Sequence, residues 1–307
     1  MKIRKITLLT ARTEPGAMNS KYLRLISVLM VVFLYSGCSL DKFVIRQTET
    51  LFDYGVISLY EESDLQIAKT ALESNIKLLE GMIIGDPDNQ DLRLLACQAF
   101  SGYALGFAED TDPQRAKQLY LRGRDHGIYI LHQNEIFTEN EAKKLEVFQS
   151  ALEQMDEDDI DALFWTAFAW AGWINLSLDD PQAFIDLPKV QAMMNRVMEL
   201  DETYFMGAPD LFFGTVWGLK PRMLGGDPEK AKEYFEKNLE ITKGKFLLTY
   251  IYYARYYAAK ILDEDLYEKL LGKVENTPAD VLPAYQLLNV IAKEKAKRLE
   301  AQKDELF

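Results

Sequence analysis

GGDPEKAKEYFEKN, residues 225–238, is the stretch on which the fold turns. Asp227 stands directly before Pro228, and a face follows at Ala231, Tyr234, Phe235 and Asn238. Steps of three, four and seven residues place these side chains on one side of an α-helix. An aspartate can accept the free N–H groups of a first helical turn, and proline is tolerated at the first position, where no N–H is needed. Two other stretches align with it without gaps: DTDPQRAKQLYLRG at 110–123 and FIDLPKVQAMMNRV at 184–197. Each has an aspartate four residues before a small apolar residue, Asp112 before Ala116 and Asp186 before Val190. The faces continue through Leu119, Tyr120 and Gly123, and through Met193, Met194 and Val197. Each aspartate is therefore expected to cap its own helix.

Outward from these segments, helical spacing dominates from residue 45 onward, and alternating Val/Ile/Thr runs of strand type are nearly absent. Proline and glycine punctuate the chain at 85–87, 111–113, 180–181, 207–209, 225–228 and 277–283, as short helix connections require. Thr138-Glu139-Asn140-Glu141 has the pattern of a capping box ahead of Ala142, Leu145, Phe148, Leu152 and Met155. The expectation is one all-α domain over 51–307. The three aligned segments resemble the second helix of a tetratricopeptide repeat, and Glu199-Leu200-Asp201 extends the likeness in the middle copy. Trp165, Phe168, Ala169 and Gly172 stand at the positions of its first helix. The intervals are 74 residues from Ala116 to Val190 and 41 from Val190 to Ala231, which excludes a strict period of about 34. An irregular superhelix of helical hairpins with a concave face fits these intervals.

The N-terminus follows a different logic. Lys2, Arg4, Lys5, Arg12, Lys21 and Arg24 face a single acid, Glu14, and an apolar run from Leu25 to Tyr35 ends at Ser36-Gly37-Cys38. That run suits a signal-peptide core better than a mature span. Export signals ending at cysteine resemble those of bacterial lipoproteins, although Tyr35 stands where a small aliphatic residue is usual. Residues 1–37 are read as a signal peptide, with Met18 as an alternative start, Cys38 as the lipidation site and 38–50 as a tether. Ser39 after the cysteine leans toward the outer membrane.

Charge narrows the function. The 307 residues include 48 acids and 35 bases, a net charge of −13. Without residues 1–37 the balance is 47 acids to 29 bases, or −18. Such a body is a poor partner for nucleic acid and is repelled by anionic headgroups, so a lipid would do the anchoring. Two cysteines and two histidines do not supply a four-ligand zinc site, and Cys97, in an apolar run, is expected in the core.

The mature chain as a whole, roughly residues 36–307, is similar to the T-component of tetratricopeptide-associated TRAP transporters. The resemblance is carried by SGCS at 36–39, LESNIKLLEGMIIGDPDN at 72–89, LYLRGRDHG at 119–127 and GGDPEKAKEYFEKN. YARYYA at 253–258, LLNVIAKEKAKRL at 287–299 and the terminal DELF continue it. It implies a helical superhelix that forms a homotrimer, anchored in the periplasm by lipid. It further implies a periplasmic solute-binding P-component as partner, and an apolar or organic-acid ligand in a cleft or pore. The other reading is a repeat lipoprotein that scaffolds envelope assembly without a small ligand.

No nucleophile–base pair, phosphate loop or metal motif appears, so neither an enzyme nor a cofactor is expected. Asp156-Glu157-Asp158-Asp159 lacks the glycine and terminal glutamate of a calcium loop and reads as a solvated helix start. Ligand-binding candidates fall in three stretches. ALFWTAFAWAGWINL at 162–176 is apolar nearly all round, so it packs centrally or lines a cavity; it contains Trp173, and Asn175 either orients a ligand or caps a turn. PDLFFGTVWGLKPRMLGGD at 209–227 shows no sustained helical register, and Trp217 and Arg222 either read a carboxylate or belong to a plain connection. TYIYYARYYAAKI at 249–261 offers Tyr253 and Arg255, with Arg255 either in a structural ion pair or on a ligand; Arg124 carries the same two readings.

Overall fold

The computed structural model describes residues 49–220 and 225–307, together with Lys21, Lys42 and 44–46. The chain divides into two units, 1–47 and 48–307. In the first, the few described residues are helical. Cys38, the rest of the signal stretch and most of the tether lie outside the described residues.

The second unit is all-α, with no strand among the described residues. Its helices are α1 (Glu49–Tyr60), α2 (Leu65–Gly85), α3 (Gln90–Tyr103), α4 (Pro113–Leu131), α5 (Glu135–Asn140), α6 (Leu145–Leu152) and α7 (Ile160–Leu176). They continue with α8 (Pro181–Leu200), α9 (Tyr204–Leu219), α10 (Pro228–Ile241), α11 (Leu248–Tyr253), α12 (Glu264–Asn276), α13 (Gln286–Ala301) and α14 (Lys303–Leu306). Helices packed together are mostly neighbours in sequence. The short α5 and α6 are inserted between α4 and α7, which pack extensively on each other. Late in the chain, α13 packs on α11 and α12 and also reaches α1 and α2, so the two ends of the unit meet.

The outer two aligned segments fold as their sequences demand. Asp112 accepts the N–H of Arg115 ahead of α4, and Asp227 accepts those of Glu229 and Lys230 ahead of α10, each with proline at the first position. Ala116, Tyr120, Ala231 and Phe235 are buried on the faces that follow. In the middle segment the apolar face holds, with Val190, Met193, Met194 and Val197 all buried, but Asp186 is no cap. α8 begins six residues earlier, where Asp180 accepts the N–H of Gln182 and Pro181 takes the first position. Asp186 lies inside the helix, buried, accepting Trp170 Nε1–H at 3.0 Å and the Gln182 amide at 2.6 Å. One residue separates Asp186 from Pro188, whereas Asp180 and Pro181 are adjacent, and only adjacency leaves the aspartate outside the helix with the ring in its first turn.

Two other expectations change. Thr138 sits inside α5, which Asn134 caps, and its hydroxyl donates to the carbonyls of His132 and Asn134. α6 starts at Leu145 without a side-chain cap, and Ala142 is exposed while Phe148, Leu152 and Met155 are buried. The stretch at 209–219 is helical to Leu219 despite its glycines and Pro209. Proline in the first turns after an irregular entry forfeits little hydrogen bonding, so α9 survives it. At that entry Phe205, Met206 and Gly207 all adopt positive φ (42°, 62° and 65°). Two smaller expectations hold: Asp156 and Asp159 form a reciprocal cap on a short turn ahead of α7, and Cys97 is fully buried, its thiol pushed up to about 12 by desolvation.

α3 and α11 share an ending. Each passes into a π-helical turn, Ala104–Ala108 and Ala254–Ala258, in which the N–H of residue 109 or 259 reaches back to the carbonyl of 104 or 254. Each then stops at a capping aspartate, Asp112 or Asp263. The Tyr-Ala-x-x-x-Ala pattern at 103–108 recurs at 253–258.

Candidate functional site

A cavity of about 990 Å³ lies within the helical unit, lined from α1, α2, α3, α4, α7, α8, α9, α11 and α13. Its wall is overwhelmingly apolar. Leu51, Leu78, Leu178 and Phe184 belong to the lining and are also exposed at the surface, so the cavity opens there. Aromatic rings build one region. Trp165 meets Phe205 edge-on with centroids 4.9 Å apart, and Phe205 meets Tyr285 at 5.6 Å. Gly102 contributes open space, since a Cβ built there meets nothing within 4 Å.

One part of the wall is polar: Glu109, Tyr120, Asn175 and Tyr252. The Tyr120 hydroxyl donates to Glu109 Oε2 at 2.7 Å, and Asn175 Nδ2 donates to the Tyr256 hydroxyl at 2.8 Å. Behind Glu109 stands an ion cluster. Lys295, 4% exposed, donates to Glu109 Oε1 and Asp110 Oδ2, both at 2.6 Å. Arg255 donates to Asp110 Oδ1 at 3.1 Å, and Arg298 approaches Asp110 at 3.7 Å. Burial favours the neutral amine of Lys295, but the charges of Glu109 and Asp110 outweigh it and raise its pKa. Burial would likewise raise Asp110; Lys295, and then Arg255, pull it below the ordinary carboxylate range. Burial, and then the Glu109 charge, push the Tyr120 and Tyr252 phenols far up, so both are neutral hydroxyls.

A second, smaller pocket of about 370 Å³ lies on the other side of this cluster, lined by Glu109, Asp110, Arg255, Lys295 and Arg298 among others. Glu109 belongs to both linings. The π-turns explain the meeting: one sets Glu109 and Asp110 directly after its end, the other carries Arg255 within it, and Asp110 joins them.

The residues singled out from sequence lie apart from one another. Asn175 is in the cavity wall, and Arg255 is in the smaller pocket. Trp173 is buried in α7 outside the cavity lining. Tyr253 is buried, stacked on Phe235 at 5.2 Å and reaching Glu236. Trp217 carries Lys230 over its ring at 4.6 Å and Lys220 at 5.7 Å. Arg124 pairs with Asp125 and lies 5.5 Å from the Trp170 ring. Arg222 lies outside the described residues.

A family model described as TRAP transporter T-component matches residues 61–307, which is every wall helix except α1. The chain belongs to the TRAP transporter T-component family. No curated protein matches it. The T-component is thus a constituent of a transport system, associated with other TRAP components. Among the described residues no helix is long and apolar enough to cross a membrane.

Glu109, Asp110, Lys295, Tyr120 and Tyr252 were not reached from sequence as site residues of the T-component. The repeated Tyr-Ala-x-x-x-Ala was the available signal, because it marks two equivalent turns that deliver opposite charges. Gly172 shows how closely this wall is fitted: a Cβ there would stand 2.5 Å from the Tyr120 ring. Gly172→Ala gains about 1 kcal/mol of helix propensity. It must nevertheless push a fully enclosed, hydrogen-bonded ring, and overpacking of this kind costs about 1–3 kcal/mol. Thermal unfolding followed by circular dichroism is expected to show a lowered midpoint for Gly172→Ala. A raised midpoint would mean that Tyr120 moves aside freely.

Proposed function

We propose that this T-component is a lipid-anchored periplasmic protein that holds the apolar body of a solute in its central cavity. In this reading it works against a solute-binding P-component and assembles as a homotrimer, with Cys38 as the acylated residue and the outer membrane as the anchor's site. The tetratricopeptide-like superhelix is the reading of its aligned segments that belongs with this role. The observation that carries the ligand is the cavity itself: about 990 Å³ of space with an apolar wall, opening to the surface. That volume is at the upper end of the range of small-molecule sites, and an apolar wall recognises a ligand by area removed from water.

Gly102→Leu tests this reading without disturbing the fold. The new side chain enters open cavity space and replaces a mid-helix glycine, so stability is expected to hold or rise. Affinity for a neutral apolar fluorophore, N-phenyl-1-naphthylamine, should fall at least about tenfold as the space is filled, a loss of about 1.4 kcal/mol. Unchanged affinity in the folded variant would place the probe outside the cavity and remove the reading.

A further inference from the structure

The cavity's polar wall and the ion cluster behind it are two faces of one construction, and they face different spaces. Glu109 lines the cavity, with Tyr120, Tyr252 and Asn175 beside it. Lys295, Asp110 and Arg255 line the smaller pocket and are not part of the cavity wall. At this polar end of the cavity a molecule therefore meets a carboxylate and neutral hydroxyl and amide groups, while Lys295 and Arg255 lie beyond the carboxylate; the lining's own cation, Lys220, stands at the end of α9 with its ammonium over the Trp217 ring. From this division we propose that the cavity selects an apolar compound ending in a neutral hydrogen-bond donor, an alcohol-type hydroxyl, over one ending in a carboxylate. The inference rests on the cavity being the ligand site.

Three features set the selection. Glu109 already holds Lys295 through Oε1 and Tyr120 through Oε2, yet each carboxylate oxygen has lone pairs to spare for one more donor. Tyr252 lines the same wall and makes no hydrogen bond among the described residues, so its O–H is free to donate to a ligand oxygen. A hydroxyl between them donates to Glu109 and accepts from Tyr252, which satisfies both of its functions. A ligand carboxylate would set a second negative charge beside Glu109 in a desolvated space, where repulsion is strong. An ammonium group meets the opposite difficulty. Glu109 and Asp110 are already balanced by Lys295 and Arg255, while Arg298 is shared between Asp110 and Glu294. An added cation would leave the cluster with an uncompensated positive charge. Only a neutral head keeps the count.

The test displaces N-phenyl-1-naphthylamine from the full mature chain with dodecan-1-ol, dodecanoate, dodecylammonium and headless 1-chlorododecane at pH 8. An alcohol partitions out of water more readily than a carboxylate in any apolar site, so the decisive reading is how the preference changes in variants. In Glu109→Gln the preference for dodecanol over dodecanoate should shrink at least about tenfold. In Tyr252→Phe dodecanol should weaken about five- to tenfold while 1-chlorododecane stays unchanged, as expected for one hydrogen bond. Should Glu109→Gln fail to fold, Tyr252→Phe decides alone. An unchanged dodecanol affinity in Tyr252→Phe, a preserved preference in Glu109→Gln, or tighter binding of dodecanoate or dodecylammonium in the native protein would each overturn the head-group inference while leaving the cavity site standing. If neither the fluorophore nor 1-chlorododecane binds, the cavity reading fails and the inference with it.

Discussion

Replacing Lys295 by methionine is expected to cost about 3–5 kcal/mol of stability. The side chain is almost fully enclosed, and its ammonium group is the shared partner of Glu109 and Asp110. Methionine keeps most of the stem and its packing, so the loss isolates the charge. Two carboxylates that are themselves only 11% and 12% exposed would then face each other with Arg255 and Arg298 alone to compensate, and both of those lie on the Asp110 side. A domain of this size loses roughly 2–4 °C of melting temperature per kcal/mol, so a fall on the order of 10 °C is expected. The double variant Lys295→Met, Glu109→Gln removes the carboxylate left without a cation and should recover about 1–2 kcal/mol of that loss, a coupling that denaturant titration resolves. If Lys295→Met cost less than about 1 kcal/mol, water would have to reach the cluster freely, and it would then be an ordinary surface network.

Asn238→Ala should be almost as damaging, about 3 kcal/mol or more. Asn238 is fully buried and acts as a clasp: its amide donates to the carbonyls of Met206 at 2.8 Å and Gly207 at 2.7 Å, and its oxygen accepts the Thr249 hydroxyl at 2.5 Å. Alanine would remove the partner of two buried groups, the Gly207 carbonyl and the Thr249 hydroxyl, and of the part-buried Met206 carbonyl, at about 1–3 kcal/mol for each buried group before relaxation. The clasp also holds Phe205, Met206 and Gly207 in left-handed conformation, which costs about 1–2 kcal/mol for each residue with a side chain. Once it is released the turn relaxes, and the Phe205 ring leaves its place against Trp165. Loss of stability should therefore come with a change in tryptophan emission and weaker binding of the apolar fluorophore. A destabilised variant with unaltered emission would show that another contact keeps Phe205 in the wall.

Much of the helical framework is readable because its causes are local. Asp112-Pro113 and Asp227-Pro228 announce helix starts through groups one to three residues away, and the buried faces follow from spacing alone. Asp186 was misleading because alignment rewarded its distance from Val190, while the chemistry of a helix start needed aspartate directly before proline. α9 was missed for a related reason: glycine and proline lower helix propensity, but tertiary contacts with α10 and the second π-turn stabilise a segment that propensity disfavours. Asn238 is placed by spacing on the face of Ala231 and Phe235, and that position is what carries it to the strained turn. Of the polar wall, Asn175 alone is singled out by the sequence, and the repeated Tyr-Ala-x-x-x-Ala marks the two turns without showing that they meet. Glu109 and Lys295 are 186 residues apart, and each taken alone is an ordinary charge on a helix. A cavity has no residues of its own, so its presence is written only in how far the surrounding side chains fall short of filling the space.

The return of α13 to α1 and α2 has a consequence for how the protein comes into being. Leu287, Leu288 and Ile291 of α13 complete a wall begun by Leu51, Phe52 and Val56 of α1, so the container is closed by segments from opposite ends of the unit. Contacts between such distant segments form late, after the loop-closure entropy of the intervening chain has been overcome. Until α13 is in place, the lining that will face the solute faces water as an open apolar trough, a state prone to association with any greasy surface nearby. The first guest of this cavity is thus its own α13, and the protein must finish folding before it can hold anything else.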